Sequence, residues 1–118
     1  MKPGPKSDAL LLSHMQECIA RIGEYAGGDR DRFASSPLVQ DAVIRKLQTL
    51  TESSQRLSDA IKATETQIRW DALGGFRNVV VHAYLGIDLD VVWSVVEKDL
   101  PDLGAALERM RARLALKH

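Results

Sequence analysis

Four side chains with complementary chemistry fall within eight residues of the sequence: Arg77, Asn78, His82 and Tyr84. A guanidinium can hold a phosphate through paired hydrogen bonds, an imidazole can exchange a proton near neutral pH, and an amide can fix a hydroxyl group. On a helix of about 3.6 residues per turn, Asn78 and His82 lie one above the other and Arg77 and Tyr84 share a neighbouring stripe. Such a set has the groups needed to cleave a phosphodiester without a metal ion.

In that reaction the 2′-hydroxyl of RNA loses its proton and attacks the phosphorus, the 5′-oxygen leaves, and a cation stabilises the charge on the phosphoryl oxygens. DNA lacks this nucleophile. The ordinary structural interpretation of an Arg and a His on one helix is a salt bridge and a hydrogen-bonded core histidine. The residue types alone leave both interpretations open.

The elements that would position these residues have helical periodicity. Apolar residues recur at three-and-four spacing between residues 11 and 25, with Ser7 as the predicted N-cap and Gly27 and Gly28 as the stop. Cys18 lies on the apolar stripe and is expected to be a small buried hydrophobe.

A second helix is predicted to start at Ser36 and Pro37, because proline at the first helical position gives up an N–H that would lack a partner. Its apolar stripe continues to Ile61, with a small polar break at Ser53 and Ser54 where another helix could approach closely.

The motif is expected on a third helix that starts near Trp70 and passes through residue 82. A short fourth helix covers residues 91–96, and Asp99 and Pro101 open the last helix. Together these elements predict an all-α fold, an antiparallel bundle of four or five helices in a single domain spanning residues 1–118.

Composition excludes several classes of protein. The chain has 118 residues, 45% hydrophobic and 27% charged, which is typical of one globular domain. Lys and Arg together equal Asp and Glu at 16 each, so any nucleic-acid surface must be local. A single cysteine favours a reducing cytoplasm, and no apolar run is long enough for a bilayer. His14 and His118 have no partner at metal-ligand spacing, so neither a metal nor a cofactor is expected.

The order Arg77, Asn78, four residues to His82, then Tyr84 resembles the signature of HEPN ribonucleases, and the resemblance to the HepT branch extends along most of the chain. One departure is the sequence Thr51-Glu52-Ser53-Ser54, where HepT-like chains usually have Gly-Glu-Ala-Ala. Glu52 itself is kept. The other segments that resemble HepT are residues 21–25, 47–48, 68–70 and 86–101.

The resemblance implies a helical homodimer whose two motifs face a shared cleft, with ribonuclease activity carried by Arg77, His82 and Asn78. It also implies a toxin restrained by a nucleotidyltransferase antitoxin of the MntA type, which would transfer AMP to Tyr84. Glu52 is a candidate for orienting the active-site Arg or His from a facing helix. Whether the RNA substrate is tRNA or mRNA stays open.

Three alternatives remain on sequence grounds. The chain could be a non-catalytic module that holds a nucleotide or substrate beside a nucleotidyltransferase. Trp70 and Trp93 could stack on bases, although core or dimer packing is the expected role. Four basic residues near the end of the chain are expected to form a solvated face. Alternatively, they form a surface that binds the phosphate backbone or docks an acidic partner. These residues are Arg109, Arg111, Arg113 and Lys117.

Overall fold

The computed structural model describes residues 5–73 and 89–116. Within these ranges all regular elements are helical and no strand occurs, which confirms the predicted fold class for this part of the chain. No helix among the described residues has the length and apolar content needed to cross a membrane. The helices are α1 Pro5–Ala26, α2 Arg30–Ser35, α3 Pro37–Arg56, α4 Asp59–Lys62, α5 Leu89–Ser94 and α6 Leu100–Leu116, with a π-helical turn Val95–Asp99 between the last two.

Helix α1 starts earlier than the sequence predicted. Pro5 is already helical, so Ser7 lies inside the helix and is not its N-cap. Proline suits this position because its ring fixes φ near the helical value. At the other end, Gly27 and Gly28 have φ angles of 61° and 68°, which residues with a Cβ atom rarely adopt. The predicted glycine stop is therefore confirmed.

Helix α2 was not predicted from the sequence. Asp29 caps it, because its carboxylate accepts hydrogen bonds from the backbone N–H groups of Asp31 (3.0 Å) and Arg32 (3.2 Å). The helix is only 6 residues long, but it buries Phe33, whose ring centroid lies 5.4 Å from that of Trp93. Helix α2 thus connects the α1–α3 hairpin to α5.

Helix α3 begins as predicted, with the Ser36 hydroxyl accepting a hydrogen bond from the N–H of Val39 at 3.2 Å. The prediction that it continues to Ile61 is wrong, because α3 ends at Arg56 and Ile61 belongs to α4. Ser58 has an extended backbone (ψ 151°) and caps α4 with its own hydroxyl. A serine that caps a new helix competes with continuation of the preceding one, and here the cap prevails.

Helix α1 runs antiparallel to both α3 and α6. At its start, the buried carboxylate of Asp8 accepts hydrogen bonds from the N–H (2.9 Å) and hydroxyl (2.6 Å) of Ser58, just beyond the end of α3. On the other side, Gln16 accepts a hydrogen bond from Arg111, while Ile19 faces Gly104 earlier in α6. The number of helices in the complete bundle stays a prediction, because residues 74–88 lie outside the described ranges.

The last helix starts at Leu100, next to the predicted opening at Asp99 and Pro101, but no break in the helical path precedes it. Helix α5 passes into α6 through the π-helical turn, in which the N–H of Leu100 donates to the carbonyl of Val95, five residues earlier. Pro101 explains this local widening, because proline offers no N–H to the carbonyl four residues before it and its ring crowds that carbonyl. Asp99 therefore lies inside a continuous helical path instead of opening a separate helix.

A buried carboxylate joins the segment after α4 to helix α6. Glu65 is 2% exposed, and its oxygens accept hydrogen bonds from Arg109 (Nη2 at 2.6 Å, Nε at 3.2 Å), from Arg113 and from Gln67 (2.5 Å). Arg109 and Arg113 are partly exposed, as a solvated face requires, but their guanidinium groups bind Glu65, a role that the sequence did not predict. Arg111 is exposed as expected, and Lys117 lies outside the described residues.

These bonds lower the pKa of Glu65 from 4.5 to about 2. The hydrogen bond from Arg109 is the largest cause; burial opposes it, and bonds from Arg113 and Gln67 add to it. A carboxylate whose pKa is lower in the folded chain stabilises the fold above its unfolded pKa, and this stabilisation is lost as the pH falls from about 4.5 towards 2.

We expect Glu65→Gln to lower the free energy of unfolding by about 1–3 kcal/mol at pH 7, because the two arginines lose their charged partner but remain partly hydrated. The difference from the wild type should shrink as the pH falls below 4.5. Urea unfolding followed by circular dichroism at pH 7 and pH 3 measures both. Glu108→Gln, which changes an exposed glutamate on α6, the helix that carries both arginines, is the matched control and should change stability by less than about 0.5 kcal/mol. Equal stability of wild type and Glu65→Gln at pH 7 would contradict this account.

Candidate active site

The four motif residues, Arg77, Asn78, His82 and Tyr84, lie outside the described residues. Their predicted helical placement and mutual geometry therefore stay predictions. What the structure describes is the chain on both sides of them, from residue 62 to residue 73 and from Leu89 onward. We call residues 62–73 the upstream segment.

The upstream segment is held at several points before it reaches the motif. The indole N–H of Trp70 lies 3.2 Å from the carbonyl of Lys62 and 3.2 Å from that of Glu65, and the ring packs against the core. Residues 70–73 are helical, with the N–H of Leu73 donating to the carbonyl of Arg69 at 3.0 Å. A helical turn therefore starts at Trp70, where the sequence predicted the start of the motif helix, and its course beyond Leu73 lies outside the described residues.

On the downstream side, α5 is anchored mainly by burial. Val92 and Trp93 are buried, which confirms core packing as the role of Trp93. At the start of the helix, Asp90 accepts a hydrogen bond from Arg30 of α2 at 3.0 Å. This ion pair is exposed and contributes little energy, so the apolar contacts set the position of α5.

A groove of about 540 Å³ lies between the upstream segment and the helical path of α5 and α6. Its apolar walls include Ile68, Leu73 and Leu103. Arg69 and Arg109 also line the groove, and so do Asp99 and Asp102, which balance the charge of the two arginines. The groove adjoins Leu73, four residues before Arg77 in the sequence.

Glu52 lies on α3 in a second groove of about 390 Å³ between α1 and α3. His14 and Arg56 line the same groove, and Glu52 is exposed to solvent. Its proposed contact with Arg77 or His82 remains a prediction, because both of those residues are outside the described ranges.

Cys18 has no sign of nucleophilic chemistry. The thiol is 1% exposed, and burial is the main cause that raises its pKa, with Lys46 opposing this effect. A buried thiol with a raised pKa is a poor nucleophile, so the predicted role as a small buried hydrophobe is confirmed. Among the described residues, no group of three or more His, Cys, Asp or Glu side chains is placed to hold a metal ion.

Sequence analysis missed Glu65, because residues 62–66 were interpreted only as a polar stretch between two helices. The available signal was the spacing of Arg109 and Arg113. Residues four apart share one face of a helix, and here that face borders the inward stripe containing Met110 and Leu114. Two guanidinium groups beside a core stripe indicate an acidic partner elsewhere in the chain.

The chain matches the family described as Ribonuclease HepT-like over residues 15–110, a range that includes the whole motif. It is 33% identical over 101 residues to "Probable ribonuclease HepT" of Thermococcus cleftensis, covering 85% of this chain and 92% of the relative. It is 25% identical over 99 residues to "Putative RNase TTE0752" of Caldanaerobacter subterraneus subsp. tengcongensis, covering 83% of this chain and 88% of that relative.

A third relative, from Methanocaldococcus jannaschii, is named "Gamma-glutamylcyclotransferase and putative RNase MJ0434". The identity is 33% over 99 residues, or 83% of this chain, but the match spans only 45% of that relative. No solved structure matches the chain significantly. The extent of the family match and the near-complete coverage of the Thermococcus relative show that this chain belongs to the HepT-like ribonuclease family.

Proposed function

We propose that the protein is a metal-independent ribonuclease. The observation that carries this proposal is that the family match runs without interruption across residues 15–110 and so includes Arg77, Asn78 and His82 in their predicted order. In this mechanism a bond forms between the 2′-oxygen and phosphorus while the bond from phosphorus to the 5′-oxygen breaks.

Each motif residue has a separate task in that reaction. His82 accepts the proton of the 2′-hydroxyl or delivers a proton to the departing 5′-oxygen. Arg77 binds the phosphoryl oxygens and stabilises their growing negative charge. Asn78 assists by fixing a hydroxyl or the tautomer of the imidazole. The groove next to Leu73, with apolar side chains and with Arg69 and Arg109 in its walls, is the candidate binding surface for RNA among the described residues.

The first test is to replace His82 and Arg77 separately with alanine and to measure cleavage of total RNA and of a short RNA oligonucleotide. Loss of proton transfer typically slows a reaction about a hundredfold to ten-thousandfold, so we expect cleavage by His82→Ala to fall to background. We expect the same of Arg77→Ala, because it no longer stabilises the charge on the phosphoryl oxygens. EDTA should leave the wild-type rate unchanged. His14→Ala is the matched control, an exposed histidine outside the motif that should retain full activity.

Cleavage that persists in His82→Ala, or that requires added magnesium, would contradict this mechanism. A wild-type chain that binds RNA or a nucleotide but cuts nothing would favour the non-catalytic module beside a nucleotidyltransferase.

We also propose that the active unit is a homodimer with the two motifs facing one cleft, as the resemblance to HepT implies. Light scattering at micromolar concentration should give twice the 13.1 kDa chain mass. The control mixes His82→Ala chains with Arg77→Ala chains and compares the mixture with each variant alone. If the cleft uses residues from both copies, mixed dimers could recover part of the activity. A strictly monomeric chain that still cuts RNA would exclude the shared cleft.

In the cell the enzyme would act as a toxin, restrained by a nucleotidyltransferase antitoxin of the MntA type. Tyr84 follows His82 by two residues and belongs to the same motif as Arg77. A nucleotide on the phenol oxygen of Tyr84 would bring a phosphate close to the guanidinium of Arg77. The added phosphate would compete with RNA for the same guanidinium. Transfer of AMP forms a bond from the tyrosine oxygen to the α-phosphorus of ATP and releases pyrophosphate.

Co-expression with the neighbouring nucleotidyltransferase should add AMP to Tyr84, detected by intact-mass and peptide mass spectrometry. Tyr84→Phe should escape modification, because it lacks the phenol oxygen. Tyr25→Phe, at a half-buried tyrosine of α1, is the control and should be modified as the wild type is. An unmodified Tyr84 in a fully neutralised complex would point to steric blocking by the partner instead.

A further inference from the structure

Glu65 sits where the upstream segment meets α6. One carboxylate, almost fully removed from water, receives bonds from two arginines one helical turn apart, Arg109 and Arg113. Arg113 also donates to the hydroxyl of Thr64 at 3.2 Å. Arg113 therefore binds two consecutive residues of the upstream segment, and Arg109 binds one of them.

The same turn is fixed from its other side by Trp70. Its indole N–H donates to the carbonyls of Lys62 and Glu65, so the side chain and the backbone of Glu65 are both engaged. The helical residues 70–73 follow directly from this turn. Movement of Glu65 would therefore shift the first helical residues of the segment that leads to the motif.

The distance from Leu73 to Arg77 limits how far such a shift can be absorbed. Arg77 follows Leu73 by four residues, a path that spans at most about 14 Å when fully extended. Catalytic groups must be held to within a fraction of an ångström, and a misplacement of about 1 Å can slow a reaction a hundredfold. The interaction of Glu65 with α6 lies close in sequence to the reacting groups and can therefore determine their position relative to α6.

We propose that Glu65 is a positioning residue for the reaction. Through Arg109 and Arg113, its carboxylate fixes the upstream segment against α6 and so aligns the chain that carries Arg77 and His82. This inference rests on the proposed ribonuclease function. Glu65 itself touches no substrate.

The test compares Glu65→Gln with Asp8→Asn in cleavage of a short RNA oligonucleotide. Asp8 is the matched control, because it is the other buried carboxylate among the described residues and its hydrogen bonds go to Ser58, outside the upstream segment. We expect Glu65→Gln to lower kcat about tenfold to a hundredfold with KM changed less than about threefold. Asp8→Asn should retain the wild-type kcat at a temperature where both variants are folded.

Amide hydrogen exchange gives a readout that does not depend on activity. Exchange at residues 66–73 should be at least about tenfold faster in Glu65→Gln than in wild type or Asp8→Asn. Arg113→Gln removes one of the two partners, leaves the groove walls intact and should change kcat and exchange in the same direction. It carries the test if Glu65→Gln does not fold.

Wild-type kcat in Glu65→Gln, or an equal loss in Asp8→Asn, would overturn the positioning role. A wild-type chain that cuts no RNA would overturn the proposed function instead. In that case, unchanged amide exchange at residues 66–73 in Glu65→Gln would also show that Glu65 does not anchor the upstream segment to α6. Faster exchange would show that it does anchor the segment, although the chain catalyses no RNA cleavage.

Discussion

Helix α1 buries one continuous stripe between α3 and α6, and the other described elements depend on this packing. Leu12, Met15, Cys18 and Ile22 are each at most 1% exposed. A helix in water gains most of its stability from covering such a stripe, because its own hydrogen bonds contribute little net free energy. Small buried residues on α3, such as Ser54, let the helices approach closely. Once α1 is covered on both sides, the ends of α3 and α6 are fixed relative to each other.

Two buried carboxylates then fix the chain between α3 and the motif. Asp8 fixes the start of α4 by accepting two hydrogen bonds from Ser58, the N-cap of that helix. Glu65 binds the following turn to α6. A buried charge is costly unless its hydrogen bonds are satisfied, so each carboxylate tolerates few alternative arrangements of its partners. The apolar core brings the helices together without strong directional preference, whereas Asp8 fixes the position of Ser58 and Glu65 fixes the geometry of the segment that leads to Arg77.

The same network affects how a chain with no net charge could attract RNA. Arg109 and Arg113 share one carboxylate, so the cluster keeps one net positive charge at the surface even though Glu65 is buried. Arg109 is half exposed and also lines the groove beside the upstream segment, together with Arg69. Asp99 and Asp102 line the same groove, so its positive charge is confined to the arginine side chains and a phosphate would have to contact them directly.

Sequence alone determined the fold class, the start of α3 at Ser36 and the glycine stop at Gly27, because helical periodicity and capping act over only a few residues. It also identified the motif and the family, since residue order is itself the signal. Tertiary structure decided the buried role of Glu65, whose partners lie 44 and 48 residues away, and reinforced the end of α3, where a carboxylate 50 residues away holds the Ser58 cap. Such pairings depend on which surfaces the folded helices bring together. No local pattern encodes that choice, because a paired buried glutamate and a solvated one have the same neighbours in sequence.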